Sequence, residues 1–503
     1  MPVGVLLHGD RGSGAHHHSL AAGSRLIAAR AHRHRLPAQE LFMIATTSSV
    51  REPARDIDVV ARADVVVVGG GPAGIAAAIA AARNGASTVL VERYNHLGGL
   101  ASGGMVLVLD DMWDSQLQEI SVRGICLDLI ERLSARGLAE FPRQDEWGSR
   151  PAALQRWTRW GAFDFHSQDK PHPIVFAAAF DPDGFKRVAL EMVAQHRIEL
   201  RLHSWFSHAL VEDGRITGVV CDTKSGRQAI LGSVVVDATG DLDVAASAGA
   251  PHVGGAYMLT TVFRLGNVDT DDAERFEREE PERFAVLDKE IKRLIGGSWA
   301  HWWLRTPLPG VVWCNCPHMT GLDGLKVEDL TEAEVRGRAH LHDAVDYARA
   351  HLPGFERCIV IDVAPQTGVR QTRLLDGEYV MTKEDLALRT RFTDAVARGR
   401  DYTTPYRALL PKQVDNLLVA GRHYSATSTA QKMSREIPPC MAMGEAAGLA
   451  AAMALEAGVT VREVDVQLLQ ARLRAQGADP GDQSGPNADV PAIARAVQRR
   501  EAA

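Results

Sequence analysis

A chain of 503 residues with 56 Lys and Arg against 63 Asp and Glu has a net charge of −7, and 46% apolar with 24% charged residues is the composition of a folded protein, so disorder along the whole length is excluded. The length suits two to four domains; mild acidity argues against nucleic acid as the main partner; no charge-free run of 18 apolar residues is present to span a membrane; and six cysteines are too few for a disulfide framework, so a reducing, cytoplasmic setting is expected. Against this background stand 45 glycines with only 7 tyrosines and 13 phenylalanines, and where those glycines fall matters more than their number.

Residues 1–42 hold five arginines, two acids and six of the 19 histidines, including His16, His17 and His18. Their local charge is +3, which leaves −10 for the remainder. They lack the long apolar core of a secretory signal; an organelle transit peptide fits the Arg-rich, acid-poor composition, and a disordered extension, drawn here as 1–62, fits better. Residues 64–68 then read as a buried parallel strand running into glycines, 75–84 as an alanine-rich helix stopped by Gly85, and 88–91 as a second buried strand. Residues 106–175 are irregular and rich in aromatics. An amphipathic helix follows over 183–196, then three short strands near 199–203, 206–211 and 216–221 with a hairpin turn at Glu212, Asp213 and Gly214. A further turn at Ser225 and Gly226 leads to a buried strand over 233–237. After a long middle region, 250–410, come a buried strand over 416–420, an alanine-rich helix over 441–456, and a charged tail, 459–503, with one helix at 466–475. No internal repeat is visible.

The first chemical motif is Gly69-Gly70-Gly71-Pro72-Ala73-Gly74, a G-x-G-x-x-G between strand and helix. Gly69 allows the tight turn, Gly71 lets a pyrophosphate approach the backbone, and Gly74 lets helix and strand pack closely, while the helix N-terminus offers free N–H groups and a positive dipole. Glu92, at the end of the next strand and followed by Arg93, is where an acid for an adenosine ribose hydroxyl is expected. A second glycine cluster, Gly98, Gly99, Gly103 and Gly104, follows at once. It suits an extended dinucleotide reaching a flavin and has no purpose in a simple nicotinamide dehydrogenase, so FAD is the cofactor expected. The competing reading is a plain flexible loop.

The third motif, Val236-Asp237-Ala238-Thr239-Gly240-Asp241, closes a buried strand. With it the chain resembles the two-dinucleotide-binding-domain flavoproteins of the glutathione-reductase type, within the bacterial FAD-dependent oxidoreductases distantly akin to fumarate reductase flavoprotein subunits. Two later stretches fit the same family: Pro365-Gln-Thr-Gly-Val-Arg-Gln-Thr-Arg373, and Gly421-Arg422-His423-Tyr424 with the segment from Ser434 to Gly448. The resemblance covers about residues 63–460. It implies an α/β fold: a Rossmann-like FAD-binding domain, parallel sheet with helices and a β-meander, split in sequence over 63–105, 176–250 and 411–458. Inserted α+β cap or substrate regions would occupy 106–175 and 251–410.

The same resemblance puts Ala238, Thr239, Gly240, Asp241, Gly421, Arg422, Gly444, Ala447 and Gly448 at the cofactor. A helix opening near 441–444 would aim its N-terminus at the flavin and stabilise negative charge there. Arg370, Arg373, Arg422 and Arg435 suit an anionic group on a small-molecule substrate, against the alternative of pairing with Glu378, Glu436 or carbonyls. His423 is the first choice for proton transfer, because imidazole titrates near neutral pH; Tyr424 and Lys432 rank lower. Trp299, His301, Trp302 and Trp303 line a pocket or fill a core. Cys314 and Cys316 with His318 fall short of a metal signature, and no metal is expected. A covalent flavin link at His96 is not required. The expected function is an FAD-dependent oxidoreductase transferring a hydride between flavin and a small, anionic organic substrate. The alternatives are an electron-transfer subunit working with a partner protein and, more weakly, an enzyme acting on a macromolecule such as tRNA. A homo-oligomer remains open.

Overall fold

The computed structural model describes residues 49–116 and 118–482. The chain divides between Arg55 and Asp56. Residues 49–55 have no regular element, and residues 56–482 are the described part of the second unit. The extension expected before residue 49 and the tail beyond 482 lie outside the described residues.

Among the described residues the central sheet has seven strands: β1 (Asp58–Val68), β2 (Thr88–Val91), β3 (Glu199–Arg201), β4 (Trp205–Glu212), β5 (Arg215–Thr223), β6 (Gly226–Asp237) and β7 (Leu417–Val419). Their order is β3-β2-β1-β6-β5-β4, with β7 beside the C-terminal end of β6. The strands β3, β2, β1, β6 and β7 run parallel, whereas β6, β5 and β4 form an antiparallel meander. The valine run explains why β1 lies at the centre. Successive side chains point to opposite faces, so Val65 and Val67 enter one core while Val66 and Val68 enter another.

Helix α1 (Pro72–Arg83) covers the first face with helices α2 (Ile125–Ser134), α3 (Pro182–Gln195) and α4 (Ile437–Ala457). Proline at the start of α1 costs no hydrogen bond, since the first N–H groups of a helix lack partners anyway. Helices α1 and α4 meet backbone against backbone. A Cβ on Gly444 would stand 2.0 Å from the carbonyl oxygen of Ala73, and one on Gly448 2.0 Å from that of Ala77.

Several boundaries differ from the sequence reading. Strand β1 opens at Asp58 instead of 64, because Val59 and Ala61 pair with Ala229 and Ile230 of β6. Helix α4 opens at Ile437 instead of 441, with Pro438 and Pro439 in the first turn, where proline is tolerated. This helix is also long and apolar enough to cross a membrane by length and composition; 78% of its most apolar stretch is buried in the protein, which accounts for that composition. The helix Val466–Ala475 forms as read and sends Leu469 and Leu473 into the main core.

The middle region builds its own core from Phe263, Trp302, Trp303 and Phe355 behind a sheet of Leu304–Arg305, Val312–Cys314, Phe263–Gly266 and Ile359–Val363. Trp302 and Trp303 are therefore core residues, while Trp299 is exposed. Cys314 and Cys316 are buried free thiols, and among the described residues no group of His, Cys, Asp and Glu is placed to hold a metal ion.

Candidate active site

A cleft opens at the C-terminal ends of β1, β2 and β6, where ligands bind in open α/β sheets. It encloses about 1250 Å³ counting its open mouth, more than a drug-sized ligand needs. Its floor is the glycine turn. Gly69 has φ +106°, and a Cβ there would strike the carbonyl oxygen of Ala238 at 2.3 Å. Gly74 is pressed against the Gly69 carbonyl, where a Cβ would lie at 1.7 Å. Gly71 is different: a Cβ there would meet nothing of the protein closer than 3.9 Å. Protein packing does not demand glycine at 71, so the space beside it is room for a ligand against bare backbone.

Glu92 ties this turn to the next strand. Its Oε2 accepts from the Gly70 N–H at 2.6 Å and its Oε1 from the Tyr94 N–H at 2.8 Å. Burial raises its pKa against the lowering effect of those two hydrogen bonds. Arg93 lies over the rings of Tyr94 and Trp205 at 5.0 and 5.4 Å, and all three line the outer end of the cleft.

The opposite wall rests on two aspartates. Asp237, fully buried, accepts from the Thr239 and Ala245 N–H groups and lies 3.2 Å from His423 Nε2. Burial alone would raise its pKa; the facing His423 and these hydrogen bonds bring it below the usual value. Asp241 accepts from Arg422 and from the Thr372 hydroxyl, both at 2.8 Å. Gly240 leaves room for Arg422, whose Nη1 would lie 2.2 Å from a Cβ at that position. Arg422 Nε, His423 Nδ1 and Arg435 Nε are buried without a hydrogen-bond partner, and all three residues line the cleft. Buried polar atoms are seldom left so. Bare backbone at Gly71 and these three orphaned nitrogens fit an elongated, phosphate-bearing ligand.

At its far end the cleft is lined by Leu100, Val106, Gln366, Arg435, Glu436, Ile437 and Cys440. Arg435 pairs with Glu436 at 3.3 Å. Arg370 does not itself line the cleft but interacts electrostatically with this pair; its guanidinium donates to Thr260 Oγ1 and Asn315 Oδ1 at 3.3 and 3.2 Å. Burial and then the neighbouring Arg435 push its pKa down to about 10, which still leaves it charged at neutral pH. Asp110 and Asp111 complete the cluster. Burial, then Glu436, raises both, Asp111 to about 8.

The model of the FAD dependent oxidoreductase family matches residues 64–401 and 398–473, which takes in the glycine turn, the Asp237–Asp241 wall and the start of α4. The chain belongs to the FAD-dependent oxidoreductase family. The tRNA uridine 5-carboxymethylaminomethyl modification enzyme of Geotalea uraniireducens is 28% identical over 189 residues, 35% of this chain and 24% of that protein, so the match spans about a quarter of the relative. Among solved structures, a geranylgeranyl bacteriochlorophyll reductase-like protein from Thermoplasma acidophilum aligns at TM-score 0.42 and 14% identity, covering 83% of this chain and 84% of that one. The myxobacterial chondrochloren halogenase aligns at 0.45 and 14%, covering 82% and 79%.

In this oxidoreductase, FAD would be held by Gly69, Gly71, Pro72, Ala73, Glu92, Arg93, Gly99, Ala238, Thr239, Gly240, Asp241, Gly421 and Arg422, all of which line the cleft. Other residues named from sequence do other work. Gly98 packs on Ser102 and Phe185 behind the cleft. Gly444 and Gly448 are corrected from cofactor contacts to helix-packing positions against α1, with Ala447 buried in the same core. The helix end that does reach the cleft is Glu436 to Cys440. Arg373 is taken up by Asp243 and the Asp241 carbonyl and does not line the cleft. His423, nominated from sequence for proton transfer, lines the cleft with its side chain fully buried and Nε2 3.2 Å from the Asp237 carboxylate beneath the turn. Tyr424 is buried with its hydroxyl 2.7 Å from Ser434 Oγ, and Lys432 lies over Tyr257 at 4.6 Å. The sequence reading missed Asp110 and Asp111. A doublet of acids directly after the apolar residues Val106 to Leu109 was the available signal.

Proposed function

We propose that this oxidoreductase transfers a hydride between FAD and a small organic anion, with Arg370 and Arg435 holding the negative group. FAD supplies the redox chemistry when bound; the chain binds, orients and keeps water away. The observation that carries the reading is the company Arg370 keeps. Its hydrogen-bond partners are neutral, and among the described residues no carboxylate lies within ion-pair distance of it. A buried charge with no carboxylate in direct contact, only Glu436 and Asp110 further off, is costly, and a substrate anion would relieve it. Arg435 has one carboxylate, Glu436, and an unpartnered Nε. A planar guanidinium also suits bidentate capture of a carboxylate. His318 lies nearby with its pKa lowered to about 4 by burial and then by Arg370, so it is neutral, and its unpartnered Nε2 adds a polar contact without adding charge.

An anaerobic screen following flavin absorbance tests this. Bleaching by a class of carboxylates, with the matched amides inactive, is the expected result. Equal bleaching by the amides would contradict it. Reduction by a partner protein alone, with no small molecule active, would favour an electron-transfer subunit.

A further inference from the structure

Two side chains that neither the nucleotide end nor the anion site uses, His96 and Gln366, meet over Gly103 at the wall of the cleft. We propose that Gln366 positions the flavin, its side-chain amide oxygen accepting from the N3–H of the ring, and that His96 holds the amide in that orientation. This concerns recognition of the cofactor and stands apart from the substrate reading above.

Gln366 lines the far end of the cleft and is only 4% exposed, so the surface it keeps belongs to the cavity. Its backbone N–H donates to the Gly103 carbonyl oxygen at 3.0 Å, which fixes the root of the side chain. Its Nε2 lies 3.4 Å from Nε2 of His96. On the other side of that imidazole Nδ1 is 2.7 Å from Asn95 Oδ1, and the ring stacks on Tyr94 at 5.9 Å. An amide oxygen can only accept, so Nδ1 of His96 carries the proton. Burial, then Lys186, lowers the His96 pKa, so the ring is neutral and its Nε2 is left as an acceptor. That nitrogen takes an N–H of Gln366 and turns Oε1 the other way. Among the described residues Oε1 has no hydrogen-bond partner, and it is not closed off by protein as the orphaned nitrogens are.

Gly103 is explained by the same pair. Its φ of −73° suits any residue, so the backbone does not require glycine. A Cβ there would stand 2.5 Å from both Gln366 Cδ and His96 Nε2. At this position the second glycine cluster makes room for the two side chains that meet over it.

The oxidised isoalloxazine carries a single N–H, at N3, between the two carbonyls of its pyrimidine edge. The start of α4, Glu436 to Cys440, lines the same end of the cleft, and the positive end of its dipole favours that oxygen-rich edge there. The other side-chain carboxyl on this wall, Glu436, is held by Arg435 at 3.3 Å. The neutral amide oxygen of Gln366 is the acceptor left for a neutral N–H.

The deciding experiment titrates apoprotein with FAD, with N3-methyl-FAD and with ADP, which reaches only the nucleotide end. Wild type should bind FAD about 10-fold more tightly than N3-methyl-FAD, a comparison that needs no variant. Gln366→Leu should lose about 10-fold for FAD, bind the two flavins alike and leave ADP unchanged. His96→Leu should lose less, about 3-fold, and adding it to Gln366→Leu should cost nothing further, because it acts only through Gln366. A wild type indifferent to the N3 methyl group, or discrimination that persists in Gln366→Leu, would overturn the proposal. So would equal weakening of ADP and FAD in Gln366→Leu, the mark of a packing residue. Losses that add in the double variant would overturn the role of His96.

Discussion

The two ends of the cleft are built differently. At the nucleotide end recognition is by backbone, from Gly69 to Gly74, Gly99 and Ala238 to Gly240, on consecutive residues at strand ends. At the far end the lining is mostly side chains, among them Gln366, Arg435, Glu436 and Cys440, with Arg370 interacting from behind it, drawn from segments far apart in the chain. Backbone recognition needs a small set of residue types at fixed spacing, because only glycine permits the approach. Side-chain recognition needs convergence in space and leaves almost no local pattern.

Valine substitutions sharpen that contrast most. Gly444→Val would force three carbons against the Ala73 carbonyl, part α4 from α1 and cost about 3 kcal/mol or more by thermal melting of the apoprotein. Gly71→Val should leave the apoprotein melting temperature unchanged, since the space beside it is open, yet weaken FAD about 100-fold, about 2.7 kcal/mol, by titration of apoprotein with FAD. Equal losses of stability in the two variants would erase the distinction between a packing glycine and a binding glycine.

A pH-dependent effect of similar size belongs to Glu445, in the middle of α4. Its Oε2 accepts from the Ile125 N–H at 3.0 Å, its Oε1 has no partner, and burial lifts its pKa from 4.5 to about 7. A carboxyl raised in the folded state stabilises most when protonated, so this contribution is full below pH 4.5 and is lost as pH rises through 7. At about 1.4 kcal/mol per pH unit the loss is about 3 kcal/mol. Glu445→Gln should remove that slope in urea melts between pH 4.5 and 7.5; an unchanged slope would place the titration elsewhere.

The fold was legible where local rules suffice. Apolar runs ending near glycine located β1, β7 and the C-terminal half of β6, and the glycine turn located the floor of the cleft. The residues misread share a different cause. Gly444 and Gly448 stand four apart on a helix, a spacing that serves close helix packing as well as a ligand, and only the position of α1 decides between them. The proline pair 438–439 falls in the first turn of α4, ahead of the start expected at 441. His423 follows a strand end as a reactive histidine would, and Asp237 beneath it comes from a distant part of the chain. Asp111 acquires its environment from Tyr402 and His166, which no spacing in the sequence ties to it.

The central claim is that the far end of the cleft recognises negative charge. Its most direct measurement is anaerobic bleaching of the bound flavin by a carboxylate and by its amide, in wild type and in Arg370→Met. The account predicts that wild type prefers the carboxylate by about 100-fold or more and that Arg370→Met loses most of this preference through KM. An equal preference in the two proteins would contradict it.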